Sequence, residues 1–179
     1  SSQGEMEKQV AERTLDLKRE IAERDRAEKD LRLAAKVIEA TSEAVVISDA
    51  KFLVTSVNPA FTEMTGYRAS EVKGKLATYY GAVKRDRGLL TDIRKSIKST
   101  GRWQGEFWDR RKNGEEYVAH LSLSAITETG SKKKRYVALI SDITKRKQDE
   151  EEIRLQANYD SLTGLPNREL FLDRLAQSL

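Results

Sequence analysis

Ala44-Val45-Val46-Ile47-Ser48-Asp49-Ala50-Lys51-Phe52-Leu53-Val54-Thr55-Ser56-Val57-Asn58-Pro59-Ala60-Phe61 sets the architecture of this chain. Ala44 to Asp49 reads as a short strand, Ala50-Lys51 as a turn, and Phe52 to Val57 as a second strand. Asn58-Pro59 then opens a helix, because Asn caps exposed N–H groups and Pro is pre-set for the first helical position. Phe61 and Met64 share one inward face of that helix, and Gly66 ends it. Ser70 starts another short helical turn, which stops at Gly74.

The pattern continues in the same style toward the C-terminus. Leu90, Ile93 and Ile97 form a stripe over a helix from Arg87 to Thr100, closed by Gly101. Trp103 to Arg111 and Glu116 to Glu128 read as strands joined at Lys112-Asn113-Gly114-Glu115, where Asn-Gly is a strong hairpin signal. After the polar turn Thr129 to Lys134, Tyr136 to Ile143 is the last strand. Two strands, small helices and a three-strand meander make an α+β domain with one sheet. Thr144 is the expected N-cap of a charged helix from Lys145 to about Asn158. A further helix is expected from Pro166 to Leu179, with Leu172, Leu175 and Leu179 on its apolar face.

The N-terminal forty residues follow another rule. From Glu5 to Ala40 there is no Pro or Gly, and strong helix formers dominate. Val10, Thr14, Leu17, Ile21, Arg24, Glu28, Leu31, Ala35 and Ile38 recur at alternating steps of three and four. This is the seam of a coiled coil, interrupted by charge at Arg24 and Glu28. A helix of that length reaches ~50 Å, too far to pack along one small domain. We expect a parallel homodimer; the alternative is a single solvated helix.

The 179 residues allow one ordinary domain with extensions. The 33 basic and 29 acidic side chains are interspersed, so no one-sign field points to nucleic acid. Lys132, Lys133, Lys134 and Arg135 are the one basic cluster and read as a solvated hairpin loop. The chain has no cysteine, which excludes disulfides and thiol chemistry. No apolar run is long enough to span a membrane, and the expected location is cytoplasmic, with anchoring of a longer protein left open. No phosphate loop, metal-ligand cluster or nucleophile–base pair is visible, so no catalytic residue is assigned and metal ligands are none.

Asn58-Pro59-Ala60-Phe61, Thr65-Gly66-Tyr67, Trp103-Gln104-Gly105-Glu106, Arg110-Arg111-Lys112-Asn113-Gly114 and Asp142-Ile143-Thr144 together resemble a PAS sensory domain over residues ~34–147. The resemblance implies a five-stranded antiparallel sheet with small helices on one face. It also implies a small-molecule site between them, for which Phe61, Met64, Tyr79, Trp103 and Phe107 are the candidates. Trp103 resembles a Trp of some flavin-binding PAS domains, and equally reads as a core aromatic closing the sheet. No cofactor is required. The missing cysteine excludes a flavin–cysteinyl adduct but leaves a non-covalent flavin open. The only histidine, His120, has the opposite strand parity from Tyr117, Ala119, Leu121 and Leu123, which argues against haem.

Asp160-Ser161-Leu162-Thr163-Gly164-Leu165-Pro166-Asn167-Arg168 resembles the entry of GGDEF domains, the cyclases that make cyclic di-GMP from two GTP. No Gly-Gly pair occurs in the chain, so the signature hairpin of that family is absent from it. The resemblance implies that Asp160 and Arg168 pair at the turn into the cyclase; alternatively they are a local cap and a surface charge. The expected plan is a signalling helix at 1–41, a PAS-like sensor at 42–147, a linker helix at 148–159 and the start of a GGDEF domain at 160–179. The expected role is a dimeric relay to the GGDEF domain of the same chain, not itself an enzyme. Arg24, Glu28, Asp142, Thr144, Asp160 and Arg168 are its expected relay residues. The alternative is a purely structural dimerisation module with no ligand.

Overall fold

The computed structural model describes residues 2–77, 87–127, 130, 133–160 and 163–177. Tyr79, Lys132 and Leu179 lie outside the described residues. The chain divides into two units, residues 1–42 and 43–179. The first is one helix, α1 (Ser2–Ala40). Its predicted stripe is exposed: Val10, Leu17, Ile21, Leu31 and Ile38 all face solvent in the single chain. Thr14 satisfies its own hydroxyl by donating to the Val10 carbonyl at 2.7 Å. Arg24 and Glu28 form no ion pair among the described residues.

The second unit is an antiparallel sheet with helices. Its elements are β1 (Ala44–Ser48), β2 (Val54–Val57), α2 (Pro59–Thr65), α3 (Ala69–Val72), α4 (Arg87–Thr100), β3 (Arg102–Arg110), β4 (Glu116–Thr127), β5 (Lys134–Asp142), α5 (Thr144–Asn158) and α6 (Arg168–Gln177). The five strands lie in the order β2-β1-β5-β4-β3. The first strand therefore sits between the second and the last, and closing it requires contacts distant in sequence.

Asn58 ties α2 to β1. Its Oδ1 accepts from the Phe61 N–H at 3.1 Å, as an N-cap should, and also from the Val45 N–H at 2.8 Å. Its Nδ2 donates to the Glu43 carbonyl at 2.9 Å. Pro59 occupies the first turn and Gly66 closes the helix in the left-handed region at φ 77°. A Cβ there would meet the Lys112 Cβ at 3.3 Å, because the end of α2 docks on the β3–β4 hairpin. Alternation on β4 holds as expected: Tyr117, Ala119, Leu121 and Leu123 are buried. Ile93 and Ile97 of α4 pack on Leu123 and Tyr136, each burial contributing about 1.5–3 kcal/mol.

Four local expectations are corrected. The second strand does not begin at Phe52 but at Val54, because Phe52 itself is left-handed at φ 61°. The Asp49 carboxylate holds that turn by accepting from the N–H groups of Lys51 and Leu53, and the Phe52 ring stacks on Tyr136 at 4.1 Å. Thr144 is not an N-cap but the first helical residue, its hydroxyl accepting instead from the Val118 N–H of β4 at 2.9 Å. The last helix begins at Arg168 rather than Pro166, since Asn167 caps it through the Leu170 N–H and Pro166 bridges to Tyr159. Lys134 and Arg135 belong to β5, so the basic cluster is not wholly a loop.

Candidate functional site

Between the inner face of the sheet and α2 and α4 lies a cavity of about 150 Å³. Val46, Val54, Phe61, Phe107, Leu121 and Ile140 supply apolar wall from six different elements. An apolar wall with a few polar groups is the character of a small-molecule site, at a volume below the ~300–1,000 Å³ usual for a drug-sized ligand. Tyr117 and Leu123 both line it and stand six residues apart on β4, about 20 Å along the strand.

The polar groups collect at its two ends. At one end, the Tyr117 hydroxyl donates to Asp109 Oδ2 at 3.1 Å, and the Arg110 N–H donates to Asp109 Oδ1 at 2.7 Å. Burial, with Asp109 alongside, pushes the Tyr117 phenol far above its ordinary value and keeps it a neutral donor. Arg110 also lines this end, and its Nη2 pairs with Glu116 at 2.5 Å. Its buried Nε has no hydrogen-bond partner. A buried donor left unmade costs about 1–3 kcal/mol, a cost set here against the Arg110 pairing with Glu116. At the other end are Lys51, from the β1–β2 turn, and Arg94, on α4. Both are exposed and neither has an ion pair among the described residues.

From the Tyr117 end a run of contacts leads out of the cavity. The Arg111 guanidinium lies 4.4 Å above the centre of the Tyr117 ring. It pairs with Asp142 Oδ2 at 2.5 Å and donates to the Met64 carbonyl at the end of α2. Asp142 Oδ1 accepts from the Thr144 N–H at 2.9 Å, at the first turn of α5. Partial burial opposes ionisation of Asp142, but the bonds from Thr144 and the Arg111 charge outweigh it and hold the carboxyl below its ordinary value. On the outer side, Lys147 and Arg146 of α5 reach Glu106 of β3 at 2.7 and 3.3 Å. The start of α5 is therefore anchored to the sheet twice.

Of the predicted cavity residues, Phe61 and Phe107 are on the wall. Tyr79 is outside the described residues. Met64 is not on the wall; it packs against the core under β1 and offers only its carbonyl to Arg111. Trp103 is not there either. Its indole lies over Gly105, where an added Cβ would come within 2.6 Å of the ring, and its Nε1 donates to Asp92 of α4 at 3.0 Å. The small residue two places on gives the ring room to fold along the strand and pack under α4. His120 is absent from the wall and sits opposite Glu106 and Ser141 on its neighbouring strands.

Among the relay residues, the structure joins Asp142 to Thr144 directly. Among the described residues no ion pair joins Asp160 to Arg168. The Asp160 carboxylate instead accepts from the Thr163 N–H at 2.9 Å and its hydroxyl at 2.8 Å, closing its own turn. Asp109, Arg110, Arg111 and Tyr117 were missed as site residues. The parity of Trp103, Gly105 and Phe107 places Asp109 on the inner face, and that of Ala119 and Leu121 places Tyr117 there, so both carried a signal.

A PAS domain profile matches residues 42–145, and the chain belongs to the PAS domain family. It is 26% identical over 103 residues to a mouse high-affinity cAMP-specific phosphodiesterase, covering 58% of this chain and 12% of that protein. It is also 26% identical over 140 residues to a probable diguanylate cyclase, DgcE, of Escherichia coli, covering 77% of this chain and 13% of that one. The chain thus spans a small part of either relative. A PAS domain of a Colwellia psychrerythraea protein superposes with a TM-score of 0.59 at 19% identity, over 65% of this chain and 98% of that one. That likeness shows the fold.

Proposed function

We propose that this PAS domain is the sensory relay of a cyclic di-GMP signalling enzyme, and that it works as a parallel homodimer through α1. A ligand in the cavity acts on the Asp109–Tyr117 end. The Arg111 side chain carries the change to Asp142, and Asp142 carries it to the first turn of α5. That helix leads toward Asp160 to Arg168, the segment that resembles the entry of a GGDEF cyclase. The chain itself contributes no catalytic group; its output is the alignment of two cyclase domains that follow α5. The similarity to DgcE supports this choice of output. A non-covalent flavin is one ligand compatible with the absence of cysteine.

The observation that carries this reading is the continuous run Asp109, Tyr117, Arg111, Asp142, Thr144, which begins on the cavity wall and ends in α5. A coupling between two sites needs an element with two arrangements that both sites bias. Arg111 fits that role because one guanidinium holds α2, β5 and the cavity tyrosine together.

Cysteines introduced singly along residues 14–38 test the dimer. Disulfides should form strongly at the stripe positions and weakly between them, and Arg111→Met should alter their pattern around Arg24 and Glu28. A chain that stays monomeric at micromolar concentration sinks the proposal.

A further inference from the structure

We propose that His120 is a proton-operated release for α5: while its imidazole is neutral, Glu106 holds the start of that helix to the sheet, and protonation of the imidazole frees it. The release goes beyond the relay through Arg111 and requires nothing in the cavity.

The device lies on the outer face of the sheet, on the side away from the cavity. His120 stands on β4, directly across from Glu106 on β3 and from Ser141 on β5. Side chains so placed have Cβ atoms ~4.5–5.5 Å apart, so the imidazole and the Glu106 carboxylate share one surface. That carboxylate is what holds α5 on this side. Its Oε2 takes the Lys147 ammonium at 2.7 Å and its Oε1 the Arg146 guanidinium at 3.3 Å. The bond from Lys147 does most to hold the Glu106 carboxyl below its ordinary value; partial desolvation opposes it, and the charges of Lys147, Arg146 and His120 add to it. The ring nitrogens of His120 make no hydrogen bond to any described residue.

The remaining charged groups on this side are few. Arg146 is shared with Glu150 of α5 at 3.6 Å, and Glu43 accepts from the Ser141 hydroxyl at 2.7 Å. Gln104, Trp108, Val118, Ser122 and Leu139, the diagonal and same-strand neighbours of His120 on this face, carry no charge. Imidazole is the side chain whose charge changes between about pH 5 and 8. His120 is the only histidine of the chain.

The sign follows from where the cations stand. In the anchored arrangement Lys147 and Arg146 sit at Glu106, beside the imidazole, and a proton on the ring meets like charge. In the released arrangement they have left, and Glu106 faces the imidazolium alone. The proton therefore binds the released arrangement better and shifts the balance toward it. The inner attachment, from the Thr144 N–H to Asp142, lies on the other face, so α5 loosens at its first turns without detaching.

Solution NMR of the full chain tests this, and a single histidine makes the ring resonance unambiguous. Between pH 8 and pH 5 the protection of the Lys147, Gln148 and Asp149 amides, corrected for the intrinsic pH dependence of exchange, should fall about threefold, the worth of one exposed ion pair. The fall should share its midpoint with the His120 ring resonance, while the Ala119 and Leu121 amides of β4 keep their protection. His120→Gln should hold the α5 amides at their high-pH level throughout. Glu106→Gln should hold them at the low level at every pH. Flat protection in the unaltered chain, a fall that survives His120→Gln, or a midpoint apart from that of the ring overturns the release. A parallel loss in β4 overturns it too, because the whole sheet unit would then be loosening. Crosslinking along residues 14–38 involves no titration of α5 and stands or falls separately.

Discussion

α1 and α4 are both helices with an apolar stripe, yet they are held by different things. In α4, Ile93 and Ile97 are buried against Leu123 and Tyr136 of the sheet. In α1, the equivalent residues Leu17 and Ile21 are half or more exposed, at 50% and 59%. The same periodicity thus leads to packing within the chain in one case and to an unoccupied face in the other. A stripe tells that a surface needs covering; it does not tell by what. Fourteen residues of α4 lie across one small sheet, whereas the 39 residues of α1 run about 58 Å and outreach any partner the domain offers.

The sharpest break of this contrast is to make the same change in both helices. Ile93→Ala should lower the stability of the sheet unit by about 3 kcal/mol, as deletion of a buried isoleucine does. Ile21→Ala should leave that transition within about 0.5 kcal/mol and instead shift the monomer–dimer equilibrium toward monomer. Urea unfolding and sedimentation equilibrium read the two effects separately. If both substitutions unfold the sheet unit equally, α1 is part of its core and the contrast fails.

Next in size is Asn58→Ala. It removes the cap of α2 and leaves the buried Val45 N–H without its acceptor, a combined loss of about 2 kcal/mol in the same urea experiment. Asn58→Asp should recover the cap but not the bond to the Glu43 carbonyl.

A smaller effect is expected at Asp142, and it depends on pH. Its carboxyl is held below the ordinary value, so the folded state binds the proton less readily than the unfolded chain. Its contribution is complete above the unfolded value of about 3.8, and is lost as pH falls below that through the lower folded value. Asp142→Asn should cost about 1 kcal/mol at neutral pH, and the gap between the two proteins should close below about pH 4. A gap that stays constant down to pH 2 would show that Arg111 is not the partner that matters.

The smallest change is at Glu106, which is exposed. Glu106→Gln should leave the melting temperature of the sheet unit unaltered and raise only the amide exchange of the first turn of α5. Loss of structure through the whole of α5 would mean that Lys147 and Arg146 anchor it more than Asp142 and Thr144 do.

The elements of the fold were legible because each has a local cause. Asn58-Pro59 and Gly66 bound α2, the stripe from Leu90 to Ile97 defined α4 with its bounds, and alternation along β4 separated Tyr117 and Leu121 from His120. The exceptions are instructive. Phe52 reads as a strand residue by type, but the carboxylate of Asp49 organises a turn that forces it left-handed. Trp103 is a cavity candidate by resemblance and a core aromatic by the alternative reading; Gly105 lets it lie down along β3, in the core under α4. Thr144 reads as a cap, but the β4 backbone claims its hydroxyl first. In each case a neighbour reached through two or more residues, or through another strand, overrode the residue's own preference.

By itself the sequence determined the α+β class, the order of strands and helices along the chain, the helical run of α1 and the family resemblance. These follow from backbone propensity and hydrophobic period, which act over a few residues. Only the tertiary structure decided that β1 lies between β2 and β5, that Arg111 joins α2, Tyr117 and Asp142, and that Asp109 and Tyr117 meet on the cavity wall. Those facts depend on groups brought together from strands tens of residues apart. Distance through space, unlike distance along the chain, is fixed only when the sheet closes.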